Sequence, residues 1–278
     1  MELCLDNYAI RDRQGMIRTK TCNRKQNIVS YTVTALALLT LYGVLTFDYK
    51  QIDFWAALQQ TLGNVAIMFT QPTAVHFTLA EAGYQVLVTI CLAFLTTIIG
   101  AVVALFFGLL AAKNLSNQLI SNCIKGFVAF IRAVPTVLWV LIFAVAAGLG
   151  SVAAILGLSF HSIGYLIKTY SESFEELDEG VIEALKASGA NWWQIVFQAV
   201  IPSSLTYLLA WTFIRFEINF ATAVAMGAAA GAGGIGYELF MAGNFYFNSR
   251  EMGLIVYFIL AFAILLEVCS NKLKARVK

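Results

Sequence analysis

Apolar residues run through this chain in long blocks, not in the short alternations of a soluble domain. No Asp, Glu, Lys or Arg interrupts the sequence from Ile28 to Phe47, from Tyr84 to Ala112, or from Ala133 to Ile167. A helix needs about 20 mainly apolar residues to cross the hydrocarbon of a bilayer, so each of the first two blocks predicts one span. The third is too long for one crossing. Gly148, Gly150 and Ser151 mark a tight reversal that divides it into spans over 126–149 and 152–170. A fifth apolar run covers 203–226, across Arg215 and Glu217, and a sixth covers 252–269. The pattern predicts an all-α, polytopic membrane protein with about six transmembrane helices.

Composition agrees: 60% of the 278 residues are hydrophobic and 12% are charged, against about 25% charged in an ordinary soluble domain. The placement of Lys and Arg near the span ends sets orientation. Arg11, Arg13, Arg18, Lys20, Arg24 and Lys25 precede the first span, whereas 48–83 carries Lys50 alone. Lys113, Lys125, Arg132, Lys168 and Lys186 flank the middle spans, and Lys272, Lys274, Arg276 and Lys278 close the chain. Both termini are therefore expected on the cytoplasmic side of the membrane. The expected organisation is a basic segment over 1–27, a first span over 28–47, an external connector over 48–83, a core of five spans over 84–270 with a cytoplasmic loop over 171–202, and a tail over 271–278. The basic region is long and its apolar run is of full spanning length, which argues against a cleaved signal peptide. In the connector, Ile52, Trp55, Leu58 and Leu62 recur at helical spacing between Gln59, Gln60 and Asn64, the periodicity of an interfacial helix.

A net charge of +2 gives no reason to expect nucleic acid, and the five cysteines show no CxxC spacing, so neither a zinc site nor a disulfide framework is indicated. "GAGGIG" at 231–236 has the spacing of a dinucleotide turn. That fingerprint needs a preceding strand inside a soluble βαβ unit, and here it follows an apolar span. Two readings of Gly231, Gly233, Gly234 and Gly236 remain. They permit close helix approach, or their backbone N–H groups line a polar cavity and bind an anion. No nucleophile–base pair or HExxH pair stands in the spans, so no catalytic residue is expected, and no GxxxxGK[ST] phosphate loop occurs.

Six of the 16 acids fall between Glu172 and Glu183, in the loop after the fourth span. Asp178 can cap a short helix there, Gly189 permits exit through a left-handed residue, and Pro202 marks the start of the fifth span. Glu183, Ala184, Gly189, Ile201 and Pro202 stand at the spacing of the "EAA" loop of inner-membrane permeases of binding-protein-dependent ABC importers, E-A-A, three residues, G, nine residues, I-x-L-P. Leu185, Ala199 and Ile201 replace its second Ala, its Ile and its Leu. "FVAFIRAVPTVLWVLIFAVAAGLG", anchored by Arg132 and Pro135, together with "HSIGYLIKTYSESFEELDEG", "FIRFEIN" and "GAGGIGYEL", is similar to the phosphonate-transport branch of these permeases. The likeness covers residues 84–240. Ala221 departs from it, standing where that branch often has Arg, four residues after Glu217.

This resemblance implies a type I ABC importer transmembrane fold and a transport subunit that is not itself an enzyme. It implies no bound metal or cofactor in this chain, ATP and Mg²⁺ being held by a cytoplasmic ATPase dimer. That dimer receives the 183–190 helix as a coupling element. Further partners are an external substrate-binding protein, a second permease copy and membrane lipid, with a phosphonate or related phosphorus oxyanion as solute. Another small solute, or a stand-alone secondary carrier, is the alternative. Arg215, Glu217 and Asn219, with the 231–236 backbone, are the expected translocation-path residues. Arg215 could instead form an interhelical salt bridge, and Arg132 could snorkel to headgroups.

Overall fold

The computed structural model describes residues 9–11, 17–19, 24–46 and 53–277. Arg13, Lys20, Phe47, Lys50, Ile52 and Lys278, and Cys4 and Cys22, lie outside the described residues. By their contacts, residues 1–60 and 61–278 form two units. In the first, β1 (Ala9–Arg11) pairs antiparallel with β2 (Ile17–Thr19), Ile10 opposite Arg18. This short ribbon is an addition to the helical expectation. Helix α1 (Arg24–Thr46) follows, exposed throughout 27–46. Thr32, Thr34, Thr40 and Thr46 each return their hydroxyl to the carbonyl four residues back, so these four donors are met within the helix and not left for lipid to cover.

Helix α2 (Phe54–Thr70) bridges into the second unit. There α3 (Leu79–Ala111), α4 (Gln118–Ala133), α5 (Thr136–Ala147), α6 (Ser151–Glu175), α7 (Glu179–Ala187), α8 (Trp192–Ile195), α9 (Ile201–Ala230), α10 (Ile235–Asn244) and α11 (Ser249–Val277) follow in order. Residues 27–46, α3, α6, 192–230 and 249–272 are long and apolar enough to cross a membrane, and α4 with α5 is so as a bent pair.

Helices α3 and α6 run parallel at the centre, because small residues let their backbones meet. A Cβ added at Gly100 would lie 2.8 Å from the Ser162 Cβ, and one at Gly108 3.1 Å from that of Tyr170. Helix α9 packs antiparallel on both, its Thr212 bonded to Tyr170 at 2.5 Å and its Asn219 to Ser162. Phe174, Leu166, Ile182, Ile195 and Val196 form one apolar cluster, beneath which the polar ends are tied down. Glu175 accepts from the Lys113 N–H at 2.8 Å and from Lys125 at 2.6 Å, and the Asn114 amide donates to the Phe174 carbonyl.

Three expectations are corrected. The span placed at 126–149 is not one helix. It starts at 118 and turns by 90° between α4 and α5. Pro135 cannot donate to Ile131 and holds Val134 extended, at φ −89° and ψ 125°, as the residue before proline prefers. The reversal at Gly148 and Gly150 falls where expected, both at positive φ. Second, the fifth span does not begin at Pro202. Helix continues from Trp192 to Ala230 through a π turn at Val196–Val200, where the Ile201 N–H bonds back five residues to the Val196 carbonyl. The wider turn accommodates a proline ring that would otherwise strike the carbonyl of Gln198. Third, residues 228–251, whose single basic residue Arg250 makes them the remaining expected outer loop, contain helix α10, which packs through its own Ile235 and Ala242.

At the same end, Glu251 fastens the 71–78 segment to the first turn of α11. Its fully buried carboxylate accepts from the backbone N–H groups of Val75 (3.1 Å) and His76 (2.7 Å) and from the His76 ring (2.7 Å), on which Tyr246 stacks.

Candidate translocation path and coupling surface

Arg215 is 2% exposed in the middle of α9. A buried guanidinium is expensive unless its donors are met. Here Nε donates to the Ser162 Oγ at 3.0 Å and Nη2 to the His161 Nδ1 at 3.1 Å, with the Tyr165 ring 5.2 Å below the guanidinium carbon. Arginine has only donors, so the His161 Nδ1 accepts and carries no proton. All three groups come from one stretch of α6. No carboxylate pairs with Arg215 among the described residues, so the interhelical salt bridge of the sequence reading is not formed.

One turn further, Asn219 is wholly buried and serves as the hub between three helices. Its amide donates to Thr97 (2.8 Å), Ser162 (3.0 Å) and Thr96 (3.3 Å). Glu217 is half-buried and, among the described residues, its carboxylate has no partner, while Ala221 is exposed. Residues two apart on a helix face different sides, which is why Arg215 and Asn219 enter the polar core and Glu217 does not. Path candidates expected together are thus separated by helix geometry.

The glycine segment lies beyond the end of α9. Gly231, Gly233 and Gly234 all have positive φ, from 63° to 79°, so the chain reverses into α10 without Cβ strain. Gly234 is packed on Thr89, whose hydroxyl accepts the buried Ile235 N–H at 3.0 Å, and a Cβ on Gly236 would overlap the Val224 carbonyl oxygen. Close approach of α10 to α9 and α3 accounts for Gly234 and Gly236.

The other candidate surface is at the opposite end of α9. Asp178 caps α7 by accepting from the Gly180 N–H at 2.9 Å, and Gly189 leaves the helix at φ 86°. Ile182 is buried and anchors the helix, whereas Glu183, Ala184 and Gly189 are exposed. Asn191 and Gln194 form a capping box for α8, and the Trp192 indole donates to the Leu115 carbonyl at 2.9 Å. Ile201 is half-buried and Pro202 exposed in the first turn of α9. Glu183, Ala184 and Gly189 thus share an outward surface, and Ile201 and Pro202 sit in the first turn of the helix that follows it. Glu179, Ile182, Glu183, Lys186 and Asn114 enclose a cavity of about 180 Å³ behind it.

Residues 104–275 match the model of the binding-protein-dependent transport system inner membrane component. The chain belongs to this family. It is a transport component, not an enzyme, and Arg132, Pro135, the 171–202 loop, Arg215, Asn219 and the 231–236 segment all fall inside the matched region. Over 191 residues it is 33% identical to the phosphate-import permease protein PhnE of Mycolicibacterium smegmatis, covering 68% of this chain and 35% of that protein. Over 191 residues it is 31% identical to the phosphite transport system permease protein PtxC of Stutzerimonas stutzeri, covering 68% and 69%. The chain therefore spans about a third of the mycobacterial protein and about two thirds of PtxC. A chain of the MetNI methionine ABC transporter, solved in inward-facing conformations, superposes with a TM-score of 0.64 at 23% identity over 73% of this chain and all of that one. The fold is that of type I ABC importer transmembrane domains.

Sequence reading missed Thr96, Thr97 and Ser162 as partners of Asn219, and His161 and Tyr165 as partners of Arg215. The signal present was weak: a Thr pair inside an apolar span and one His without a ligand-spaced partner.

Proposed function

We propose that this chain is the permease of an ATP-driven importer for a phosphorus oxyanion, the class that includes phosphonate, phosphite and phosphate. The observation that carries the reading is Arg215, a membrane-buried guanidinium held by a neutral imidazole, a hydroxyl and an aromatic face, with no carboxylate among the described residues to neutralise it. A fixed positive charge of this kind favours an anion over a zwitterionic or neutral solute. The names of the phosphate and phosphite permeases above support the same class.

In this reading 84–270 is the permease core and both termini are cytoplasmic. A second copy of the chain completes the pathway in the lipid bilayer. An external binding protein delivers the solute, and an ATPase dimer holding ATP and Mg²⁺ docks on the exposed face of α7. Docking movement reaches the path directly, because α7 and α8 lead through the π turn into the helix that carries Arg215 and Asn219. Glu217 and the 231–236 backbone remain secondary path candidates. Pro135, with Arg132, is a candidate hinge at the α4–α5 bend.

The likeness to the MetNI chain keeps an amino acid importer as the second reading. ATP hydrolysis by the assembled transporter in lipid separates them. Stimulation by binding protein loaded with phosphonate, phosphite or phosphate is expected, with loss in Arg215→Gln. Stimulation by a loaded amino acid alone would overturn the oxyanion reading.

A further inference from the structure

His161, Tyr165, Lys168 and Glu172 recur at intervals of four, three and four along α6, so they share one helix face. Arg215 of α9 sits at one end of that face, on His161 and Tyr165. Arg132 of α4 flanks its middle: the position of a Cβ on Gly164 is 3.6 Å from the Arg132 Cγ. At the other end Arg132, Lys125, Lys168, Ser171, Glu172 and Glu175 line a cavity of about 190 Å³, far above the roughly 10–15 Å³ that one water needs.

From this we propose that the α6 face is an anion exit lane, in which Arg132 takes a phosphorus oxyanion from the Arg215–His161 station and releases it through the cavity at Lys125 and Lys168. The proposal rests on the oxyanion-importer reading and assigns Arg132 a solute contact.

Two features separate the stations. Arg215 is buried and its Nε and Nη2 donors are already met by His161 and Ser162, so it holds a fixed field with little movement. Arg132 is exposed and has no carboxylate within ion-pair distance among the described residues, so its planar fork is free to take two oxygens of a tetrahedral anion. The acids set the direction of release. Lys125 pairs with Glu175 at 2.6 Å and Lys168 with Glu172 at 3.0 Å, leaving the cavity three cations against two carboxylates. An anion is drawn in by Arg132 but held weakly beyond it. Conduction needs just that: binding sufficient to enter and weak enough to leave.

The test uses the permease with its ATPase and binding protein in liposomes. Initial rates of methylphosphonate transport are measured with increasing unlabelled methylphosphonate on the ATPase side, for wild type, Arg132→Gln and Arg132→Lys. Assembly with the ATPase is checked by size exclusion. Arg132→Gln is expected to slow transport about tenfold and to weaken inhibition by the ATPase-side anion, while Arg132→Lys retains most of both. A merely structural Arg132 would leave that inhibition constant unchanged. Wild-type transport in Arg132→Gln, or slowed transport with an unchanged inhibition constant, overturns the lane and leaves the importer reading intact. No methylphosphonate, phosphite or phosphate transport by wild type removes the oxyanion reading and the lane with it.

Discussion

The Trp139 indole donates to the Ile131 carbonyl at 2.9 Å, the acceptor that loses its helical partner because residue 135 is proline. Ile131 and Trp139 therefore hold the 90° bend between α4 and α5 from opposite sides, both buried. Trp139→Phe keeps the ring and removes the donor. It is expected to lower stability by about 1–3 kcal/mol, the penalty of an unsatisfied buried carbonyl, measured by denaturant unfolding in detergent. Unchanged unfolding would show that the bend is held by Pro135 alone.

Asn219 joins α3, α6 and α9 through Thr96, Thr97 and Ser162. Asn219→Leu removes the hub while keeping bulk, and a loss of about 1–2 kcal/mol follows from interhelical hydrogen bonds of this kind in membranes. Loss of transport with unaltered thermal stability would instead assign Asn219 a direct contact with solute.

Gly236 and Gly231 differ in what a methyl group meets. At Gly236 it overlaps the Val224 carbonyl oxygen, whereas at Gly231 it meets open space and only the positive φ opposes it. Gly236→Ala is expected to cost about 1–3 kcal/mol by overpacking and Gly231→Ala about 1 kcal/mol. Melting temperatures in the reverse order would refute close approach as the reason for the glycine motif.

Glu183 is exposed on α7, so Glu183→Arg is expected to leave the permease as stable as wild type while reducing binding-protein-stimulated ATP hydrolysis about tenfold, as loss of a charge-assisted bond allows. Wild-type coupling in this variant would place the ATPase contact elsewhere.

Glu251 holds the backbone of Val75 and His76 to the first turn of α11. Glu251→Ala leaves those N–H groups without an acceptor, so hydrogen exchange at residues 75 and 76 should accelerate about tenfold or more, in line with a loss of at least 1.4 kcal/mol. Exchange at the wild-type rate would show that the segment is held by His76 and Tyr246 stacking.

Hydrophobic run length alone determined that this is a polytopic helical membrane protein, because crossing hydrocarbon demands an uninterrupted apolar length whatever the packing. Asp178 and Gly189 likewise marked the ends of α7, since caps act within a few residues. The bend at Val134–Pro135 was less legible. Proline signals a break, but the escape of the Ile131 carbonyl to Trp139 depends on how the following helix turns. Pro202 gave the opposite error, because a π turn absorbs the missing donor without ending the helix. Which polar residues meet was decided only by tertiary structure. Arg215 finds its partners 50 to 54 residues earlier in sequence, on α6, and Asn219 finds Thr96 and Thr97 on α3. Neither pairing has a local signature. That of Asn219 exists because Gly100 and Gly108 bring α3 against α6 closely enough for α9 to reach both.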